Sequence, residues 1–74
     1  KEKECKIIQL SFKRFTEMNR DVQLKDIDKY CFDIIILDNK EIHVYISPKA
    51  MMLGGDGKII YDSNMNMIYE QYGE

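Results

Sequence analysis

The side chains with most chemistry to offer in this chain are two cysteines, Cys5 and Cys31, and a single histidine, His43. A thiol becomes a nucleophile when a neighbouring imidazole takes its proton. Cys31 and His43 fall on adjacent predicted strands and on the same predicted face, so a thiol and imidazole pair forms if the strands meet in the right register. A zinc site asks for four convergent Cys or His ligands, and two distant cysteines with one histidine do not supply them. Asp62, Asn64 and Asn66 copy the first three oxygen ligands of a calcium loop. However, the sixth position is Met67, where glycine is needed for the sharp turn, and the twelfth is Gly73, where a bidentate glutamate belongs. The run Gly54-Gly55-Asp56-Gly57-Lys58 looks like part of a phosphate loop, but Lys58 leads into Ile59-Ile60-Tyr61-Asp62 and not into Ser or Thr and a helix. It reads as a conformational hinge. No metal or cofactor is expected.

These side chains are positioned by five predicted elements. Cys5, Ile8, Phe12 and Phe15, spaced three, four and three apart, predict an amphipathic helix over residues 3–18, with Asn19 as its C-terminal cap. Residues 20–28 follow neither helical nor strand period and predict a connector anchored by Val22 and Leu24. From Tyr30 the period becomes two: Tyr30, Phe32, Ile34 and Ile36 share one face of a strand, and Cys31, Asp33, Ile35 and Leu37 the other. Asp38-Asn39-Lys40 supplies a turn, after which Ile42, Val44 and Ile46 alternate with Glu41, His43 and Tyr45, and Pro48 closes the second strand. A glycine-bearing loop leads to strands at 58–62 and 66–72, joined through Ser63, Asn64 and Met65. The expected architecture is a single α+β domain spanning residues 1–74, an N-terminal helix packed on a four-stranded antiparallel sheet.

This layout has two consequences. Cys5 on the helix stripe and Cys31 on the opposite strand face lie on different sides of the sheet, too far apart for a disulfide, so both are expected as unpaired thiols. Moreover, one helix cannot cover both faces of a sheet, and the strand over 30–37 is apolar on both. Strands of that pattern are normally buried on both sides, and a large exposed apolar patch marks an interaction site. Ile35, Leu37, His43 and Tyr45 are therefore the candidate protein interface, for a partner or for self-association, unless the connector or the 47–57 loop folds over them.

Composition sets the remaining bounds. The chain has 74 residues, of which 32% are charged, with a formal net charge of −2. Lysines and arginines interleave with acids, as in Lys1-Glu2-Lys3-Glu4, and form none of the concentrated basic faces that nucleic-acid binding requires. No apolar run approaches the ~20 residues of a membrane-spanning helix. Lys1 opens the sequence with neither a signal core nor a cleavage site in view, so a leader or tag upstream is an expectation and the compartment stays open.

Residues 42–74, from the strand ending at Pro48 through Gly54, Gly55 and Gly57 to the hairpin around Asp62 and Ile68, resemble small bacterial cystatin-like proteins. Among these are immunity proteins with a nuclear-transport-factor-like fold, and PepSY-type domains share a similar final hairpin. Met65 stands where threonine is common and Asn66 where glycine is common, and Asn66 is expected to take the left-handed angle of the turn. The resemblance implies a helix on a curved antiparallel sheet and binding without catalysis, as an immunity or inhibitor protein. The competing expectation is a structural or homo-oligomerising domain.

Overall fold

The computed structural model describes residues 2–50 and 55–73. Helix α1, Glu2–Met18, carries Glu2 and Glu4 in its first turn, where the helix dipole favours negative charge. It stops at Asn19, whose backbone N–H and side-chain amide both donate to the Phe15 carbonyl, at 3.0 and 2.9 Å. These bonds satisfy one of the carbonyls that every helix end leaves open. The connector contains a short 3-10 helix, Leu24–Lys29, started by a reciprocal cap between Gln23 and Asp26. The Gln23 N–H donates to the Asp26 carboxylate at 2.9 Å, and this bond holds the Asp26 pKa below its ordinary value.

Four strands follow: β1, Tyr30–Ile36; β2, Ile42–Pro48; β3, Gly57–Tyr61; and β4, Met67–Tyr72. They form one antiparallel sheet in the order β1-β2-β3-β4, so each strand pairs with the next and β1 and β4 are the edges. The α+β arrangement expected from the sequence is thus present, with α1 packed on the sheet. The two hairpins flanking β2 and β3 use the same device. In the first, Leu37 N–H donates to the Glu41 carbonyl and Lys40 N–H to the Leu37 carbonyl, both at 2.9 Å, with Lys40 at φ 72°. In the second, Asp62 N–H donates to the Asn66 carbonyl at 2.8 Å and Met65 N–H to the Asp62 carbonyl at 3.0 Å, with Met65 at φ 65°. Each is a three-residue loop whose last residue is left-handed. In the second loop that residue is Met65, not Asn66 as expected.

The core lies between α1 and one face of the sheet: Ile7, Phe12 and Phe15 meet Ile42, Val44, Ile46, Ile59 and Tyr61. Val22 and Ile27 of the connector pack against it, partly buried. Several expectations are corrected here. Cys5 is exposed, and the buried stripe of α1 is Ile7, Ser11, Phe12 and Phe15. The stripe is rotated because the fully buried Ser11 hydroxyl lies 2.9 Å from the Tyr61 hydroxyl, which lets a polar residue face the sheet. Leu24 is 58% exposed and Ile27 anchors the connector in its place. Ile36, expected under the helix, is 57% exposed at the end of an edge strand. Leu37 lies one residue beyond β1 and closes the hairpin opposite Glu41.

Gly57 is a strand residue, not part of a hinge. A Cβ there would stand 2.9 Å from Phe15 Cδ1 and 3.0 Å from Tyr72 Cδ1, so glycine makes room for two rings in the core. Gly55, also in the expected hinge, takes a left-handed φ of 82°, while Gly54 and Met51 to Leu53, part of the possible lid over the sheet, lie outside the described residues.

Candidate functional site

Cross-strand partners share a face of a sheet, so the register identifies every side chain on the side away from α1. One row runs Ile35, His43, Ile60, Tyr69 across all four strands. The next runs Asp33, Tyr45, Lys58, Gln71, and a third begins Cys31, Ser47. Every described helix lies on the opposite side, against the core. The face is half-open to solvent, with Ile35 48% and Tyr69 44% exposed.

Within this face the polar groups are held by neighbours. The Lys58 ammonium lies 5.2 Å from the centre of the Tyr45 ring and 5.9 Å from that of Tyr69. At these distances the ring quadrupoles attract the cation. The Tyr69 hydroxyl donates to Gln71 Oε1 at 2.7 Å. His43 Nε2 lies 3.3 Å from Glu41 Oε1, an ion pair whenever the imidazole is protonated.

Of the four residues expected at an interface, Ile35, His43 and Tyr45 come together on this face, and Leu37 sits just past the end of β1, opposite Glu41. Ile60, Lys58 and Tyr69 join them and were missed. For Ile60 the signal was available, since Ile59 and Ile60 are adjacent and only one of them can point inward. For Tyr69 it was obscured by a bulge between Ile60 and Tyr61 that admits Ile68 as an extra residue.

The thiol and imidazole pair is not assembled. Cys31 is opposite Ser47 and His43 is opposite Ile35, which separates them by four residues along the strand, roughly 13 Å. Both cysteines are free and exposed. Asp62 is engaged within its own turn: its Oδ1 accepts from the backbone N–H groups of Asn64 and Asn66, each at 2.9 Å. The bond from Asn66, with that from Asn64, lowers the Asp62 pKa. Among the described residues no group of three or more His, Cys, Asp or Glu side chains converges, and no helix is long and apolar enough to cross a membrane.

The opposite side of the sheet has its own polar cluster. Arg14 of α1 reaches Glu70 of β4 with two bonds, Nε to Oε1 at 2.8 Å and Nη2 to Oε2 at 3.0 Å. The Tyr72 hydroxyl donates to Glu70 Oε1 at 2.7 Å. The Arg14 guanidinium, and then the Tyr72 hydroxyl, bring the Glu70 carboxyl from 4.5 down to about 2. Burial, followed by the bond to Glu70, raises the Tyr72 phenol above its ordinary value. This cluster fastens the helix to the edge strand.

Comparison with protein-family models, with curated proteins and with solved structures finds no match to this chain.

Proposed function

We propose that this chain is a non-enzymatic protein-binding domain that docks through the face of the sheet away from α1. The observation that carries this reading is the row Ile35, His43, Ile60 and Tyr69, which brings two isoleucines and a tyrosine together around one histidine on the side that no described helix covers, with Ile35 and Tyr69 exposed. A contiguous exposed apolar surface rimmed by polar groups is the usual form of a protein contact. Here Asp33, Lys58 and Gln71 supply the polar margin. The resemblance of residues 42–74 to cystatin-like immunity proteins and PepSY-type domains extends the reading to an immunity or inhibitor protein, which works by covering a partner's surface and needs no catalytic group. The competing reading is a structural or homo-oligomerising domain that uses the same face.

The test compares Ile35→Asp with Leu10→Asp, a substitution at an equally exposed leucine on the helix. Binding is read by capture of interacting protein from the source cells and by chemical cross-linking of the purified chain. Ile35→Asp is expected to abolish association and Leu10→Asp to leave it intact, with both variants folded by circular dichroism. The opposite pattern overturns the reading.

A further inference from the structure

The hydrogen bonds at the two ends of β1 determine which of its backbone groups the sheet leaves open. Leu37 N–H donates to the Glu41 carbonyl at one end and Lys49 N–H to the Lys29 carbonyl at the other, each at 2.9 Å. Bonded and non-bonded pairs alternate along an antiparallel ladder, so the odd-numbered residues of β1 bond to β2. Pro48, which has no N–H to give, accordingly stands opposite an even-numbered residue, Tyr30. The backbone groups of the even-numbered residues point away from β2 and out of the sheet, because β1 is an edge. Tyr30 N–H is bonded to the Ile27 carbonyl. Phe32, Ile34 and Ile36 remain, an outward run of N–H and C=O groups on a strand whose sole charged residue is Asp33.

We infer that this edge is a joint between two copies of the chain, with β1 pairing antiparallel to the partner's β1 about a two-fold axis through Ile34. The open residues are evenly spaced about Ile34. The axis therefore sets Phe32 against the partner's Ile36, Ile34 against the partner's Ile34, and Ile36 against the partner's Phe32. Each of these pairs exchanges two bonds, so every open N–H and C=O of both copies is used and none is left over. The 3-10 helix closes the run at Tyr30 and the β1–β2 turn closes it after Ile36, a gap of the length that a second β1 fills. The two sheets become one continuous sheet with both helices on the same side, each packed against its own β2, one strand in from the seam. The joint consumes backbone at the edge and leaves the open face of each copy uncovered.

The side chains agree with this register. On the helix side Ile36 is 57% exposed, while Phe32 and Ile34 of the same strand pack against the core; the pairing lays the partner's Phe32 beside it. On the other side Asp33 stands opposite the partner's Ile35, and the two Asp33 carboxylates lie on a diagonal in solvent. At each end Lys29, which also lies 3.6 Å from Asp26, approaches the partner's Asp38, and Asp28 approaches the partner's Lys40. Neighbouring registers lose these matches. An axis through Asp33 sets the two carboxylates directly opposite each other, which is destabilising. An axis through Ile35 carries Phe32 past Ile36 to Asp38 of the turn and leaves its groups unbonded. The far edge offers less: the bond from Gly73 N–H to the Asp56 carbonyl leaves Glu70 and Tyr72 open on β4, next to a bulge of the kind that blunts an edge. The assembly thus closes at two copies, and a joint of one short strand per copy belongs with weak, reversible association.

Sedimentation of the chain at up to about 1 mM, to cover weak association, is expected to show a monomer–dimer equilibrium. Ile34→Pro removes an N–H that β2 does not use, at a position where edge strands accept proline. The variant should stay folded by circular dichroism, while the two bonds lost across the axis weaken the dimer at least about tenfold. Ile36→Lys places an ammonium at an exposed edge position, a common guard against strand pairing, and should weaken the dimer likewise; it carries the test if the proline variant fails to fold. Disulfide trapping reads the register, because directly opposed, closely spaced antiparallel residues lie within bonding range of each other. In a Cys5→Ser/Cys31→Ser background under oxidised glutathione, chains with Asp33→Cys mixed with chains with Ile35→Cys should link to each other and not to themselves, as read by mass.

A monomer at every concentration overturns the inference, as does a dimer indifferent to both Ile34→Pro and Ile36→Lys. Self-linking of the Asp33→Cys chain or of the Ile35→Cys chain overturns the pairing through Ile34. Tyr69→Asp, on the open face at the far edge of the sheet, separates this joint from the docking face. It should leave the dimer intact while removing capture of another protein. A dimer that Tyr69→Asp breaks and Ile36→Lys spares is stacked face to face and refutes the edge joint. Capture that survives Tyr69→Asp, with the dimer still lost in Ile36→Lys, supports the joint and counts against the docking face alone.

Discussion

The buried pair Ser11 and Tyr61 offers the sharpest test of how this small core is held. Ser11 is fully buried on α1, and its hydroxyl lies 2.9 Å from that of Tyr61 on β3. Tyr61→Phe removes one partner and leaves the Ser11 hydroxyl buried. An unsatisfied buried hydroxyl costs about 1–3 kcal/mol, and a helical serine can turn back to the carbonyl four residues earlier. The expected loss is therefore at the lower end, about 1–2 kcal/mol. Ser11→Ala removes the other partner but gains up to about 0.5 kcal/mol of helix propensity, so it should be the milder change.

The double variant removes both hydroxyls and leaves neither stranded, so it should lose less than the two single variants together, by about 1 kcal/mol. Urea unfolding followed by far-ultraviolet circular dichroism gives all three values, and the chain has no tryptophan to follow instead. In a domain of this size 1 kcal/mol moves the thermal midpoint by about 4–8 °C, well above the scatter of a melt. Single losses that add within about 0.3 kcal/mol would show that the hydroxyls are not coupled and would refute the reasoning. Tyr61 also carries an alkaline signature. Its phenol is pushed up by burial, against an opposing effect of the bond with Ser11. The stability linked to it is full below 10, the ordinary tyrosine value, and is lost as pH rises above that.

Two further outcomes follow from the packing. Gly57→Ala places a methyl group 2.9 Å from Phe15 Cδ1 and 3.0 Å from Tyr72 Cδ1. It should destabilise the fold by about 1–3 kcal/mol, the range for overpacking a filled core, and an unchanged thermal midpoint would contradict the described contact. In acid, the Glu70 carboxyl, lowered from 4.5 to about 2 by Arg14 and Tyr72, contributes stability that is complete above pH 4.5 and disappears between there and about pH 2. Glu70→Gln should therefore lower stability at neutral pH and flatten that acid limb, and a wild-type pH profile in the variant would count against the described cluster.

How much of this was legible in the residues varies by element. The alternation of Tyr30, Phe32 and Ile34 with Cys31, Asp33 and Ile35 was enough to predict β1 and both its faces, because side chains in a strand must alternate. The same logic placed His43 and Tyr45 together, and the turn residues at 38–40 and 63–65 marked both hairpins. The order of one helix and four antiparallel strands followed from those periods alone.

The amino-acid order therefore determined the succession of elements and, in β1 and β2, which residues share a side. What it left undetermined is the phase of each element against its neighbours. Ser11 faces the sheet and Cys5 faces water because a hydroxyl on β3 stands opposite Ser11, some 50 residues away. Gly57 sits in a strand because Phe15 and Tyr72 claim its space. Tyr69 joins the open face because an extra residue in β4 shifts the register there. Each of these depends on a partner distant in the chain. Local periodicity carries no information about such partners, and only the closed packing of helix and sheet brings them together.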